Sequence, residues 1–502
     1  MMIYWAGSLQ ISVSVNNMSM SGLSLLFNAL LCIVLIVYAG PSHASKFSPP
    51  GLYDVESVTL DNGIDVILKP RTAAHTFSLR LWVGVGTQDF SCEHQETPHF
   101  LEHLLFAGTS KHSEAELEHL VADHGGYWNA VTGVEYTDYT MDIYSHYADF
   151  AIDILYEILT DSSITPAKVE ISRDIIHRES GGEPSSIKQW FRKQGLGVNA
   201  TVKAVLQLVP GTNFVCEQLV TASNISRDDI ITTFEKYYVP GNMALIAVGD
   251  FDRDKLLKQI RRTFGSLPVA PLPERIKPAI EEPASYDPVT GTLSPLLSDD
   301  ANIGIMYRLP SYWSDDNYPR MLIEEYLHFK VSETIRYDRG LAYAPDAWSY
   351  STNQFGLFGV SADVNIDDID DALLLINNEM DGLAKHSMTK TQLEKSKMKI
   401  LLQGVQGYES NKQFADYYLS QYVLFRKKRV FENTEERIEA VTIDDIDRVV
   451  KEYLSQDKAV TIYETPTLTY TQLYLLISVF FVALMLVVVV IYMRVHVRFK
   501  NR

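Results

Sequence analysis

Two histidines and a glutamate stand close together in the segment TPHFLEHLLFAGT, residues 97–109. In a helix, His99, Glu102 and His103 fall at positions i, i+3 and i+4 and therefore project from one face. Two imidazoles at this spacing can reach a single metal ion, and the carboxylate between them can act as a base. The segment has the HxxEH pattern. It predicts Zn²⁺ as the cofactor, with one ion per chain.

The helix that must position these residues is predicted from its end signals. Thr97 can N-cap it, Pro98 is tolerated in its first turn, and Gly108 can end it. A catalytic zinc ion needs three protein ligands and an open place for water, so the third ligand must come from another element. A second predicted helix over 166–180 starts with proline and carries Glu179 near its end.

The order of three segments, HFLEH, GGYWNAVTGVEYTDYT and SRDIIHRE, resembles the pitrilysin family of inverzincin peptidases. That family includes insulin-degrading enzymes and mitochondrial processing peptidases. Its third ligand is a glutamate some 76 residues past the second histidine, and Glu179 lies 76 residues after His103. The resemblance implies that His99, His103 and Glu179 bind zinc. It also implies that Glu102 is the catalytic residue that activates water.

Further matches concern the substrate, and the likeness extends over about residues 53–465. Asn129 and Ala130 match a stretch that lines the substrate cleft in the family, which implies that they bind substrate. The segment RYDRGLAY matches a family arginine and tyrosine seven residues apart. This match implies that Arg336 steers the peptide and that Tyr343 helps to stabilise the oxyanion. Together these residues indicate a zinc metalloendopeptidase that hydrolyses peptides or unfolded polypeptide segments.

The sequence departs from the family pattern at two places, and the first keeps an alternative open. Ser172 stands where the family usually has a second glutamate, two helical turns before Glu179, and its hydroxyl supplies no charge to orient a ligand imidazole. The usual glycine-rich lead-in to the first histidine is replaced by Glu96-Thr97-Pro98. The alternative is a catalytically weak or inactive subunit that binds polypeptides or pairs with an active partner. A third alternative is a receptor-like binding domain without metal, which would require the HxxEH pattern to be accidental.

Internal similarity predicts the fold class. The segments SRDDIITTFEKYY and TIDDIDRVVKEYL, residues 226–238 and 442–454, share a hydroxyl N-cap and an aspartate three residues later, and a β-branched strand follows each. We therefore expect an α+β protein with two homologous domains, each a mostly antiparallel β-sheet packed with helices. The predicted domains are 50–266 and 296–465, separated by a Pro-rich linker at 267–295.

Periodicity and turn signals place further elements in both halves. The strand pair at the start is joined through Asp61-Asn62-Gly63, which suits a tight turn. The predicted strands are 55–60, 64–68, 77–85, 244–248, 303–309, 355–364 and 459–463. The further predicted helices are 114–124, 147–159, 318–337 and 369–384.

Both ends of the chain indicate export. Residues 1–44 contain an apolar run, a Gly-Pro break and small residues, and predict a signal peptide or an uncleaved anchor. Residues 473–493 carry no charge and are long enough for a transmembrane helix. The basic tail 494–502 is expected in the cytosol by the positive-inside rule. The predicted location is the cell inner membrane, spanned once, with the catalytic body in the periplasm.

Charge and cysteine content restrict the partners. Lys and Arg number 44 against 63 Asp and Glu, which gives a net charge of −19 and argues against nucleic acid. Expected partners are peptide substrates, the membrane and, from the family resemblance, a second chain in a homodimer or heterodimer. Cys92 and Cys216 could pair in an oxidising compartment, but nothing in the sequence determines whether they do.

Overall fold

The computed structural model describes most of the chain beyond its N-terminal segment. The described residues are 51–72, 74–183, 185–193, 198–216, 220–275, 279–292 and 297–500. The predicted signal segment at 1–44 lies outside them, and so do parts of the predicted linker.

Within the described residues, six strands form a sheet in the first half. They are β1 (Glu56–Thr59), β2 (Asp65–Pro70), β3 (Thr76–Val83), β4 (Tyr127–Thr132), β5 (Thr137–Tyr144) and β6 (Met243–Gly249). Their order is β1-β2-β6-β3-β5-β4, with β2 and β6 parallel and the other neighbours antiparallel. The edge strand β4 is therefore open on one side within this sheet.

The helices of the first half lie mostly between β3 and β6 in the chain. They are α1 (Thr97–Phe106), α2 (Glu114–Asp123), α3 (Ala148–Asp161), α4 (Pro166–Glu179), α5 (Ser186–Lys193), α6 (Ala200–Leu208), α7 (Arg227–Tyr237) and α8 (Arg253–Arg262). Apolar side chains of α1, α3 and α8 pack with one face of the sheet in a single core. This packing holds α1 at the sheet and determines which side of α1 remains accessible.

In the second half, the described strands form a five-stranded sheet. They are β7 (Val289–Thr292), β8 (Asp300–Leu309), β9 (Asp346–Ser351), β10 (Gly356–Asn365) and β11 (Val460–Thr465). The helices are α9 (Asn317–Val331), α10 (Ile369–His386), α11 (Lys390–Gln406), α12 (Asn411–Lys428), α13 (Thr434–Ala440), α14 (Ile443–Tyr453) and α15 (Tyr470–Lys500).

The two sheets repeat one topology. The order β2-β6-β3-β5-β4 in the first corresponds to β7-β11-β8-β10-β9 in the second, and each sheet begins this series with a parallel pair. The helices α7 and α14, which precede β6 and β11, both start with a capping box, at Ser226 with Asp229 and at Thr442 with Asp445. The expectation of two α+β domains is confirmed. Each sheet, expected to be mostly antiparallel, is mixed, with one parallel pair among antiparallel neighbours.

Helices cross between the halves. The second face of the first sheet is covered by α12, whose Phe414, Tyr418 and Tyr422 pack with Trp82 and Ile246. Conversely, α6 of the first half packs on the second sheet, next to β7 and β11. Each sheet is thus sandwiched between its own helices and one helix that belongs to the other half of the chain.

Two element predictions need correction. Thr97 does not cap α1, because Glu96 occupies the N-cap position and Thr97 is the first helical residue. The Thr97 hydroxyl donates instead to the carbonyl of His94 at 2.7 Å, in the 3₁₀ turn before the helix. The helix expected over 318–337 ends as an α-helix at Val331, and a π-helical turn, Ser332–Tyr337, continues it.

The C-terminal helix α15 is apolar and exposed. Its stretch Tyr470–Arg494 is long and apolar enough to cross a membrane, and none of it is buried against the described body. The transmembrane prediction for 473–493 falls within it. The basic residues that follow continue the same helix to Lys500.

A buried arginine joins α12 to the first sheet. The side chain of Arg80 on β3 is completely buried. Its Nε donates to Asp416 Oδ1 on α12 at 2.8 Å, and its Nη1 donates to Asp142 Oδ1 on β5 at 2.9 Å. A guanidinium buried in this way is tolerated because the two carboxylates balance its charge.

Removal of both carboxylates is expected to destabilise the fold strongly. The double variant Asp142→Asn with Asp416→Asn should lower the free energy of unfolding by about 3–5 kcal/mol, because it removes both ion-pair partners of a guanidinium buried in the interior. Urea unfolding measures the loss. The control is Asp381→Asn, which breaks a more exposed pair with Lys385 and should cost about 0–1 kcal/mol. Equal losses for the two variants would contradict a special role for Arg80.

Candidate active site

The helix α1 has a buried face and an accessible face. Four of its apolar side chains are at most 1% exposed and anchor it in the core of the first half. These residues are Phe100, Leu101, Leu104 and Leu105. Because they occupy one side of the helix, His99, Glu102 and His103 are left half-buried on the other side.

The helix α4 brings the distant carboxylate to this face. Its N-cap is Thr165, whose side chain accepts from the backbone N–H of Lys168. Val169, Ser172 and Ile176 are buried, and α4 packs against α1. Glu179, the last residue of α4, continues the same row three residues after Ile176 and reaches past the core to α1.

Arg173 helps to hold α4 in place. Its Nη2 donates to the carbonyl of Ile225 at 2.8 Å, and its Nη1 donates to the carbonyl of Ala222. The guanidinium carbon also lies 5.2 Å from the centre of the Phe100 ring on α1. This arginine therefore ties α4 both to the chain before α7 and to the ligand helix.

Three donor atoms converge between α1 and α4. The distance between His99 Nε2 and His103 Nε2 is 3.2 Å, and Glu179 Oε2 lies 3.3 Å from the first and 3.4 Å from the second. Donor atoms about 2.0–2.1 Å from a tetrahedral zinc ion are separated from one another by about 3.3–3.4 Å. Both the donor types and their separations therefore fit zinc.

The other nitrogen of His99 is bonded to Glu96. His99 Nδ1 lies 2.9 Å from Glu96 Oε2, and both side chains are about one-quarter exposed. Burial alone would lower the pKa of His99. The hydrogen bond to Glu96 and the charges of Glu102 and Glu179 outweigh burial and raise this pKa above its ordinary value.

The Glu102 carboxylate adds to an acidic neighbourhood that sequence reasoning missed. Burial raises the pKa of Asp138, on β5, to about 7. The positive charge of Arg80 opposes this rise in pKa, and the negative charge of Glu102 increases it. Only 6% of Asp138 is exposed. The sequence signal was weak, since it consists of one acidic residue between two residues of a buried strand, Thr137 and Tyr139.

The predicted substrate-binding residues lie on the edge strand beside α1. Asn129 is exposed and Ala130 is buried on β4, as alternation along a strand requires. The carbonyl of Asn129 accepts from the Thr140 hydroxyl at 3.2 Å. Phe106 of α1 packs edge-on against Trp128 of β4, with ring centres 4.6 Å apart. The open strand therefore packs directly against the ligand helix.

Arg336 and Tyr343 lie in the second half of the chain. The Arg336 guanidinium is 4.6 Å from the centre of the Tyr343 ring, and Tyr343 is 81% exposed. Among the described residues, no contact links either side chain to His99, His103 or Glu179. The structure thus gathers the three predicted ligands but leaves the predicted arginine and tyrosine apart from them.

Cys92 and Cys216 form a disulfide, a point that the sequence left open. Cys92 lies in the short 3₁₀ turn just before α1, and the bridge spans 124 residues of the chain. Closing a loop of this length removes conformational entropy from the unfolded chain. The bond therefore fixes the segment that leads into the ligand helix.

The two halves of the chain match two models of one peptidase family. Residues 65–190 match the model described as "Insulinase (Peptidase family M16)", and residues 224–400 match the one described as "Peptidase M16 inactive domain". An uncharacterized zinc protease of Streptomyces coelicolor is 25% identical over 426 residues, which is 82% of this chain and 90% of that protein.

Two further comparisons also find similarity to peptidases. Mitochondrial-processing peptidase subunit beta of Lentinula edodes is 26% identical over 426 residues, with 80% of this chain and 87% of that protein covered. The crystal structure of a protease from Helicobacter pylori has the same fold, with a TM-score of 0.70, 18% identity and coverage of 82% of this chain and 99% of that one.

Fold and site together define the class. The chain has a two-domain α+β body, a histidine pair of HxxxH spacing and a distant glutamate. It is a half-length homologue of zinc proteases. The chain belongs to the M16 peptidase family, that of insulinase and pitrilysin. The resemblance inferred from the sequence motifs is confirmed at this level.

Proposed function

We propose that the protein is a membrane-anchored zinc metalloendopeptidase that hydrolyses peptides or unfolded polypeptide segments. The observation that carries the proposal is the convergence of His99, His103 and Glu179, whose donor atoms lie 3.2–3.4 Å apart. These residues would hold one zinc ion per chain. Relatives named as zinc proteases support the same assignment.

The full HxxEH motif assigns a role to Glu102. When bound, zinc lowers the pKa of water and polarises the peptide carbonyl. Glu102 projects from the same face of α1 as the two histidines, so its carboxylate can take a proton from the attacking water. It can then deliver that proton to the leaving amine, which makes it the base and later the acid of the reaction.

The edge strand β4 is suited to an extended substrate. A peptide can add to an open sheet edge through backbone hydrogen bonds, with its side chains placed alternately. Asn129 and Ala130 lie on this edge, and the strand packs against α1. We therefore assign substrate binding to these two residues, with the scissile bond brought over the ligand face of α1.

Arg336 and Tyr343 are proposed to complete the site of a partner chain. They do not contact the ligands of their own chain among the described residues, and Tyr343 is well exposed. One relative is named as a subunit, which supports pairing with a second copy or with a related chain. In such a dimer, Tyr343 would donate to the oxyanion and Arg336 would steer the peptide.

Mixing variants tests the shared site. Chains with Glu102→Gln and chains with Tyr343→Phe should each be weakly active alone, and mixing them should restore up to about one-quarter of the wild-type activity. Co-purification under two affinity tags identifies the mixed dimer. A Tyr343→Phe chain that keeps full activity, or a wild-type chain that is active as a monomer, would refute the shared site.

Ser172 favours a second candidate, a weak or inactive subunit that binds polypeptides. Its buried hydroxyl places no charge below the ligand group. The two candidates differ in one measurement, the cleavage of a peptide library by the purified full-length protein loaded with zinc. Cleavage that requires zinc supports the peptidase, whereas polypeptide binding without cleavage supports the inactive subunit.

We assign the protein to the cell inner membrane with a periplasmic body. The support is the exposed apolar helix α15, followed by Arg494 and further basic residues near the C-terminus. In this arrangement α15 crosses the membrane once and the C-terminal tail is cytosolic. Protease protection of tagged termini in spheroplasts tests the orientation.

A further inference from the structure

Glu96 stands directly before the ligand helix but does not act as its cap. It occupies the N-cap position of α1, yet its side chain makes no hydrogen bond to the first-turn N–H groups. Its carboxylate lies against His99 instead, with Oε2 at 2.9 Å from Nδ1. The orientation of this acid is therefore determined by the imidazole rather than by the helix end.

The bond singles out one of the two histidines. Among the described residues, Glu96 is the only acid that bonds to Nδ1 of a ligand imidazole. On the neighbouring helix, the row that leads to Glu179 is occupied by Val169, Ser172 and Ile176, so no charged group stands beneath the site from that side. Orientation of His99 by a carboxylate consequently depends on Glu96.

The geometry indicates what this contact achieves. An acceptor at Nδ1 keeps the proton on that nitrogen and leaves the lone pair on Nε2, the atom that faces His103 and Glu179. The same bond restricts rotation of the ring about its side-chain torsion. A carboxylate that bonds the outer nitrogen of a metal-ligating histidine also makes that ligand more basic.

We propose that Glu96 is a positioning residue that presents His99 Nε2 to zinc and thereby raises the affinity for the ion. This inference rests on the proposed zinc-dependent function. It assigns the acidic residue of the Glu96-Thr97-Pro98 lead-in to the metal site, although Glu96 is not one of the three converging donors. Among the described residues, no acid bonds to Nδ1 of His103, whose Nε2 faces His99 and Glu179.

Zinc affinity of the full-length protein in detergent tests the proposal. Competition with a chromogenic chelator gives Kd for wild type, Glu96→Ala, Glu96→Gln and the control Glu93→Gln. Glu93 is a nearby exposed acid in the same segment. We expect Glu96→Ala to raise Kd about 10- to 100-fold. Glu96→Gln should raise it less, because its amide oxygen still accepts from Nδ1, and Glu93→Gln should leave it unchanged within about twofold.

A double-mutant comparison separates positioning from a general effect of charge or folding. Glu96→Ala is combined with His99→Ala and, separately, with His103→Ala. If Glu96 acts through His99, it should change Kd only when His99 is present, so its effect should vanish in the first background and persist in the second. Equal effects in both backgrounds would overturn the proposal, as would equal Kd values for Glu96→Ala and Glu93→Gln.

The proposed function and this inference fail in different ways. A wild-type protein that binds no zinc would refute both. A wild-type protein that binds one zinc ion, together with a Glu96→Ala variant of unchanged Kd and unchanged unfolding midpoint, would refute only the positioning role of Glu96. Because the readout is metal affinity, the result does not depend on finding a substrate.

Discussion

Glu102→Gln is expected to lower kcat for peptide hydrolysis by about 100- to 10,000-fold while zinc remains bound. The expected range is that of a lost general acid–base group, because the amide cannot accept a proton from water at neutral pH. Zinc content should stay at one ion per chain, since Glu102 is not among the three converging donors. Single-turnover peptide cleavage and metal analysis on the same sample measure both quantities.

The matched control is Glu114→Gln, which removes an exposed carboxylate from the first turn of α2. It should retain activity within about twofold. Equal activity of Glu102→Gln and wild type would contradict the role of Glu102 as the base. Absence of cleavage by wild type, with zinc present, would favour the inactive-subunit alternative.

Loss of Glu179 is expected to remove the metal itself. Glu179→Ala leaves two imidazoles, and zinc Kd should rise by more than about 100-fold, beyond the range expected for residues that only support a ligand. Activity should disappear at zinc concentrations that saturate the wild type. Zinc titration with a competing chelator measures the change, and chelation followed by zinc addition should abolish and then restore activity in the wild type.

Glu183→Ala serves as the control for this variant. Glu183 is an exposed acid four residues further along the chain, and its carboxylate accepts from Ser223 rather than facing α1. Its zinc affinity should equal that of the wild type. A Glu179→Ala chain that still holds zinc as tightly as Glu183→Ala would show that the third ligand is another residue.

Much of the site follows from helical periodicity and end signals. Positions i and i+4 place His99 and His103 on one face whatever surrounds the helix, so their proximity could be predicted from spacing alone. Glu179 required the family resemblance, because 76 intervening residues carry no local geometric information. The capping boxes at Ser226 and Thr442 were predictable because they involve only residues three positions apart.

Long-range contacts could not be predicted in the same way. A glutamate before a helix suggests a cap or a solvated side chain, and its bond to His99 depends on the rotamers of both residues. The helix α12 is apolar on more than one side, but this pattern does not say which sheet covers it. Pairing of Cys92 with Cys216 likewise depends on how the fold brings two distant segments together.

The crossing of α6 and α12 has a consequence for how the chain can be divided. A fragment ending in the Pro-rich region would leave the Trp82 face of its sheet without α12, and its complement would lack α6. Each piece would then expose a large hydrophobic surface to water, and such a surface promotes aggregation. Splitting the gene there should thus yield soluble material only when both pieces are produced together and associate as they emerge.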